Sequence, residues 1–273
     1  EQAAQSIHLP TIVLLFSFMV ISAQMRLGGF YGAVTRRMAA LPVSPRALLA
    51  VVIMVAAALS AVFTNDIVCL AMAPVLADAC VRRRLDPVPY LLALACASNI
   101  GSAATLIGNP QNMLIGSVLA MPFGDYSLQA LGPVMASLAA LWLLMAWRLR
   151  ADLPPGTHAA ADDDEPPFDA WQTAKGLVVA AVLLAVFLWG GWPRDVAALV
   201  GAGLLLLSQR FHSSRVMSLV DWELLVLFMG LFIVNHALQQ TGLTEQALRW
   251  LLAQGVRLDD TATLFGATLL LSN

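Results

Sequence analysis

Apolar residues in this chain fall in long blocks separated by short polar interruptions, and the block lengths predict membrane-crossing helices. The first block covers 9–34 and is interrupted by Arg26 and by Gly28-Gly29. A connector with Arg36, Arg37 and Arg46 leads into a block at 47–80, apolar except for Thr64-Asn65-Asp66 in its middle and Asp78 near its end. Arg82, Arg83 and Arg84 come next. The block at 89–121 is broken by Ser98-Asn99-Ile100-Gly101 and by Gly108-Asn109-Pro110-Gln111-Asn112, and 126–147 is a plain span closed by Arg148 and Arg150. After a polar stretch at 151–170, further spans are predicted at 172–190, 195–209 and 222–242. An amphipathic helix at 245–257 and an apolar run at 261–273 follow.

Arginine placement orients these blocks, because cytoplasmic connections carry the excess of Lys and Arg. With Arg36, Arg37, Arg46 and Arg82–Arg84 all inside, the block at 47–80 enters and leaves on one face. Two full crossings need about 20 residues each plus a turn, and this block has 34. It therefore reads as a re-entrant hairpin with Thr64-Asn65-Asp66 at its tip. The broken helix 89–121 then crosses outward and 126–147 returns. The stretch at 151–170, with Asp162-Asp163-Asp164-Glu165 between proline pairs, reads as a hydrated cytoplasmic linker between a first repeat (1–150) and a second (171–273). IVLLFSFMVISAQMRLGGF (12–30) has a counterpart in LLVLFMGLFIVNHALQQTGL (224–243), and AALSAVFTN (57–65) one in ATLLLSN (267–273). The copies run in opposite directions, as expected of an inverted-repeat transporter.

Composition supports the membrane reading. Hydrophobic residues make up 59% and charged residues 12%, against about 25% charged in a soluble domain, and mean hydropathy is +0.78. The fold class expected is an all-α integral membrane protein, placed in the inner (plasma) membrane of a bacterium. A net charge of −2 gives no field for nucleic acid. Cys69, Cys80 and Cys96 lack metal-type spacing and read as small buried hydrophobes. No P-loop, HExxH, GxSxG or dinucleotide fingerprint is present, which excludes the common ATPase, protease and redox chemistries. No catalytic residue and no cofactor is expected. The chain opens on Glu1 and stops at Asn273, and it reads as a piece of a longer protein.

The candidate chemistry lies in the two interruptions. A carboxylate at membrane depth costs several kcal/mol unless it meets water, a cation or a polar partner. Thr64, Asn65 and Asp66 therefore read as a tip that holds a cation or substrate. In the second interruption glycines and Pro110 release the helix, and broken backbone is tolerated in a membrane only where it is buried or lines a cavity. Unwound helix ends offer N–H groups to an anion and C=O groups to a cation. Ser98, Asn99, Gly101, Thr105, Gly108, Asn109, Pro110 and Asn112 form this second candidate set. His8, His158 and His212 read as solvated. His236, beside Asn235, is either a proton shuttle or a packed imidazole.

TNDIVCLAMAP (64–74) followed by SNIGSAATLIGNPQN (98–112) resembles the signature of the ion transporter superfamily. That group includes divalent-anion/sodium symporters, citrate-type carriers and arsenite permeases. The resemblance extends over nearly the whole chain. It implies a secondary transporter for a di- or tricarboxylate or an inorganic oxyanion, with Na+ or H+ as coupling ion. It also implies homodimers in the bilayer and an elevator motion. By the same resemblance a sodium ion is expected at Asn65, Asp66, Ser98 and Asn99, and Ser272 and Asn273 match a second hairpin tip. Asp66, where dicarboxylate symporters tend to have a neutral residue, leaves an arsenite-type efflux permease or a Na+/H+ antiporter open. A membrane scaffold subunit without substrate is the alternative from another class.

Overall fold

A computed structural model of the chain describes residues 6–149, 168–207 and 213–243, with isolated positions beyond. Ser272, Asn273 and most of the acidic linker lie outside the described residues. Every element among the described residues is helical. Packing divides the chain into two units, Leu9–Trp222 and Glu1–His8 with Glu223–Asn273.

The first unit runs α1 (Leu9–Leu27), α2 (Phe30–Ala39), α3 (Pro45–Val62), α4 (Asn65–Arg82) and α5 (Pro87–Ser102). It continues through α6 (Pro110–Val118), α7 (Phe123–Arg148), α8 (Ala170–Trp189), α9 (Arg194–Leu206) and the short α10 (Ser213–Met217). Three starts follow one local rule. Ser44-Pro45, Asp86-Pro87 and Asn109-Pro110 place a capping oxygen before a proline at the first helical position, and each cap accepts a backbone N–H two or three residues on. Asp169 caps α8 in the same way, accepting from Trp171 and Gln172. The expected interruption at Gly28-Gly29 separates α1 from α2, with Gly29 in the left-handed region at φ 67°.

Helices α1, α3, α7 and α8 are long and apolar enough to cross a membrane, and so is α11 (Trp222–Gln240). Their burial differs widely: 67% of the most apolar window of α1 is covered, against 22% for α7. Helix α1 is therefore the central one of the unit, and Gln24 on it donates to Gln172 of α8 across 2.9 Å. The outward faces of α7, α8 and α9 expose Leu128, Leu144, Val178, Trp189 and Leu204, as lipid-facing helices do.

Helices α3 and α4 form an antiparallel pair joined through Phe63 and Thr64, slightly longer than the predicted 47–80. Arg83, just past α4, donates to the carbonyls of Ala39, Leu41 and Val43, just before α3, at 3.1 Å each. The two outer ends of the pair therefore meet. Helix α5 runs parallel to α3. Tyr90 donates to the Pro45 carbonyl near the start of both, and Thr105 to the Ala61 carbonyl near the end of both. The broken block at 89–121 becomes α5 and α6, separated at 103–109. Helix α7 runs back beside them, with Tyr126 donating to Ala103 and Trp142 to Arg46.

In the second unit α11 carries the Phe228–Phe232 ring pair, and the His8 ring is tilted at 57° to Phe232 with centroids 6.4 Å apart. His236 is exposed and pairs with Gln240 one turn on, at 3.0 Å.

Candidate functional site

The turn between α3 and α4 and the gap between α5 and α6 come to the same place. Asn65 Nδ2 donates to Asn99 Oδ1 at 2.8 Å, so one residue from each predicted interruption is joined directly. One turn further along, Cys69 Sγ lies 2.8 Å from Ser98 Oγ. Thr105 Oγ1 donates to the Ala61 carbonyl at 2.5 Å and fixes the gap against the last turn of α3. Two helix C-terminal ends (α3, α5) and two N-terminal ends (α4, α6) thus converge.

Close backbone approach makes this meeting possible. A Cβ on Gly101 would fall on the backbone of Ala57, and one on Gly108 on the backbone of Ser102 and Ser60. Both glycines are needed for contact distance and not for a left-handed backbone.

Asn109 and Asn112 hold the gap open. Asn109 Oδ1 accepts from the Asn112 N–H at 2.8 Å while its Nδ2 donates to Ser102 Oγ at 3.0 Å. Asn112 Nδ2 donates to the carbonyls of Ser102 and Thr105 at 3.3 and 3.0 Å. Carbonyls freed by the missing helical turn are thereby satisfied, as a low-dielectric interior requires. Pro110 needs no donor at the first position of α6.

Of the buried side-chain atoms without a hydrogen-bond partner among the described residues, three lie at this site: Ser60 Oγ, Thr64 Oγ1 and Asn65 Oδ1. Thr64 sits at the cap position of α4, yet its side chain makes no capping bond. Buried polar atoms are nearly always paired, so a cluster of unpaired ones needs a chemical reason. Three neutral oxygens suit a hard cation or the donors of a hydrated oxyanion, whereas the uncapped helix start beside them suits an anion.

Several predicted residues stand elsewhere than expected. The chain turn lies at Phe63-Thr64, and Asn65 and Asp66 belong to the first turn of α4, with Asp66 exposed. Ser98, Asn99 and Gly101 remain helical, because the break begins after Ser102. Ser98 and Ser102 return their hydroxyls to carbonyls three residues back, Ala95 and Asn99, and so stay inside the helix. Ser60, Ser102 and Cys69 were not singled out from sequence as site residues. A serine one turn before a polar tip was the available signal for Ser60.

Long apolar helices around a buried polar centre, built from two converging chain interruptions, define the class: an all-helical membrane protein. The model of the citrate transporter family, CitMHS, matches residues 1–273, and the chain belongs to that family. It is 31% identical over 252 residues to a transporter of Mycobacterium tuberculosis, covering 87% of this chain and 58% of the relative. It is 30% identical over 237 residues to the inner membrane protein YbiR of Escherichia coli, covering 84% and 59%. The silicon efflux transporter LSI3 of Oryza sativa is 35% identical over 151 residues, 54% of this chain and 31% of that protein. The chain thus spans less than two thirds of the length of these relatives. Its family is one of transporters and not of enzymes.

Proposed function

We propose that this chain supplies one half of the translocation site of a secondary carrier for a small anion, coupled to Na+ or H+. The observation that carries the reading is the Asn65–Asn99 bond beside the unpaired oxygens of Ser60, Thr64 and Asn65. A coupling cation held by these oxygens would offset the charge of an approaching carboxylate or oxyanion. The uncapped start of α4 favours the anion through its N–H groups and dipole. In this reading the α3–α4 pair is re-entrant, and a second interrupted pair in the full-length carrier completes the site as an inverted repeat.

Asp66 favours a second reading. An exposed carboxylate in the first turn of α4 beside the site suits proton exchange and export of a neutral oxyanion hydrate, with no charge-offsetting sodium ion. LSI3, whose name states silicon efflux, is a relative in keeping with it.

Full-length protein in proteoliposomes distinguishes the two. Succinate, sulfate and arsenite are offered under an inward Na+ gradient, and then under a pH jump. Sodium-driven uptake of an anion supports the first reading, and proton-driven movement of the neutral hydrate the second. Asn65→Ala and Asn99→Ala each lower transport about ten- to a hundredfold with expression retained, the cost of a lost bond to a charged species. Unimpaired transport by both variants removes the site from consideration.

A further inference from the structure

At the far end of the α3–α4 pair from the site lies a cavity of about 250 Å³. Its walls are Arg36, Ala39 and Ala40 from the end of α2 and Val75, Asp78, Arg82 and Arg83 from the end of α4, with Ala79 between. Three guanidinium groups and one carboxylate thus share it. We propose that this cavity binds a phosphate group, presented either by an anionic phospholipid headgroup or by free phosphate, between Arg36 and Arg82.

Arginines at helix C-termini often only complement the helix dipole and the last carbonyls. Here that need is met without Arg82. The final carbonyls of α4 accept from the backbone N–H groups of Arg83, Arg84 and Leu85, and those of α2 from Ala40 and Leu41. Three further carbonyls at the end of α2 and in the connector, those of Ala39, Leu41 and Val43, accept from Arg83. Arg82 gives only its Nε to Asp78, at 2.6 Å, and its side chain is 70% exposed. Its terminal nitrogens are left for an anion that accepts through two oxygens, the geometry in which guanidinium exceeds ammonium.

Two further features point the same way. Arg84 closes α4 at φ 59°, a left-handed position where glycine is usual and a side chain is strained. A third consecutive guanidinium therefore stands here despite its backbone cost. Arg36, Arg37 and Arg82–Arg84 also all lie at the face that arginine placement assigns to the cytoplasm. Basic pockets between membrane helices at that face take phospholipid headgroups. Asp78, paired with Arg82, neutralises part of the field. Because the walls come from α2 and α4, a bound phosphate bridges the base of the α3–α4 pair to its neighbour.

The proposal does not rest on the transport reading, and its test reads binding and melting only. Full-length protein is reconstituted in phosphatidylcholine nanodiscs, in nanodiscs containing phosphatidylglycerol, and in phosphatidylcholine nanodiscs with inorganic phosphate added. Melting temperature and retention of phosphatidylglycerol in native mass spectrometry are measured for wild type, for the Arg36→Gln/Arg82→Gln double variant and for Arg46→Gln as a control. A rise in melting temperature with phosphatidylglycerol alone identifies the headgroup as source, and an equal rise with inorganic phosphate identifies the free ion. In either case the double variant loses the rise and binds about thirtyfold more weakly, the effect of two charges close to a membrane anion. Arg46→Gln keeps both. Arg82→Lys guards against a folding defect: it restores part of the affinity while losing the paired geometry. Equal responses from wild type and the double variant overturn the proposal, and so does a wild type that answers to neither phosphate source.

Discussion

Helices α6 and α7 each carry a proline in an apolar stretch, with opposite results. Pro133 lies inside α7, which continues unbroken for 26 residues from Phe123 to Arg148. Pro110 stands at the first position of α6, after a gap of seven residues that begins beyond Ser102. Proline removes one N–H and crowds one carbonyl in either place. What differs is the company. Around Pro110 the chain supplies Asn109 and Asn112 to bond the freed groups, and glycines at 101 and 108 to let α3 come close. Around Pro133 it supplies Gly132, with nothing within 4 Å of a Cβ there, and apolar neighbours facing outward. A break in a membrane helix is therefore made by the side chains that pay its polar debts, and proline only marks where it ends.

The largest effect that tests this contrast comes from the glycines. Gly101→Val and Gly108→Val push side-chain atoms into backbone, which cannot yield as a side-chain tip can. Each should cost about 3 kcal/mol or more, seen as loss of monodisperse full-length protein in detergent. Gly132→Ala in α7 should be neutral or stabilise by about 0.5–1 kcal/mol. A well-folded Gly101→Val protein would show that α3 and α5 do not need contact distance.

Next comes Arg83→Gln. It removes a guanidinium that holds three carbonyls where the ends of the α3–α4 pair meet. Bonds to charged donors are worth about 1.5–3 kcal/mol each when buried, and partial exposure reduces the sum to about 2–4 kcal/mol. The drop should appear in the thermal melt and as faster hydrogen exchange at Leu41 and Val43. Unchanged exchange at these two residues would count against the cross-link.

Much of this architecture was legible beforehand, for a definite reason. Apolar block length reports bilayer thickness directly, so α1, α7 and α8 and the interruption at Gly28-Gly29 could be read from sequence. Flanking arginines indicated a hairpin at 47–80, and the Arg83 bonds join the two ends of the helical pair found there. The exact limits of the breaks were not legible. Serine, asparagine and glycine serve equally for close helix packing and for unwinding. Only the packing of α5 on α3 decides that Ser98 to Ser102 stay helical while 103–109 do not. The division of labour among the asparagines was equally hidden. Asn109 and Asn112 spend their amides on backbone and on Ser102, whereas Asn65 keeps a buried oxygen unpaired. Nothing in residue type separates these roles.

That division is itself testable, with a smaller effect. Asn112→Ala leaves the carbonyls of Ser102 and Thr105 without donors and should cost about 1–3 kcal/mol. Asn109→Ser keeps a capping oxygen and loses the bond to Ser102, so about 1 kcal/mol or less is expected. If the gap is held open by these amides, the two costs fall in that order in a thermal melt of the full-length protein. The reverse order would assign the work to the cap.

The smallest effect has the sharpest sign. Pro133→Ala returns an N–H to the middle of α7 and lets it bond the carbonyl one turn earlier, at Gln129. In hydrocarbon no water competes for that carbonyl, so the variant should gain about 0.5–1.5 kcal/mol, the net worth of one hydrogen bond. Pro110→Ala gains no such bond, because the first N–H of α6 has no intrahelical partner. It loses a backbone already fixed at the helical φ, and a cost of a few tenths of a kcal/mol follows. Melting both variants side by side in one lipid decides the matter. A stabilised Pro133→Ala with a slightly weakened Pro110→Ala means that proline is incidental to α7 and seated by design in α6. If Pro133→Ala is instead the more destabilised of the two, α7 depends on its own proline, and the contrast between the two helices is lost.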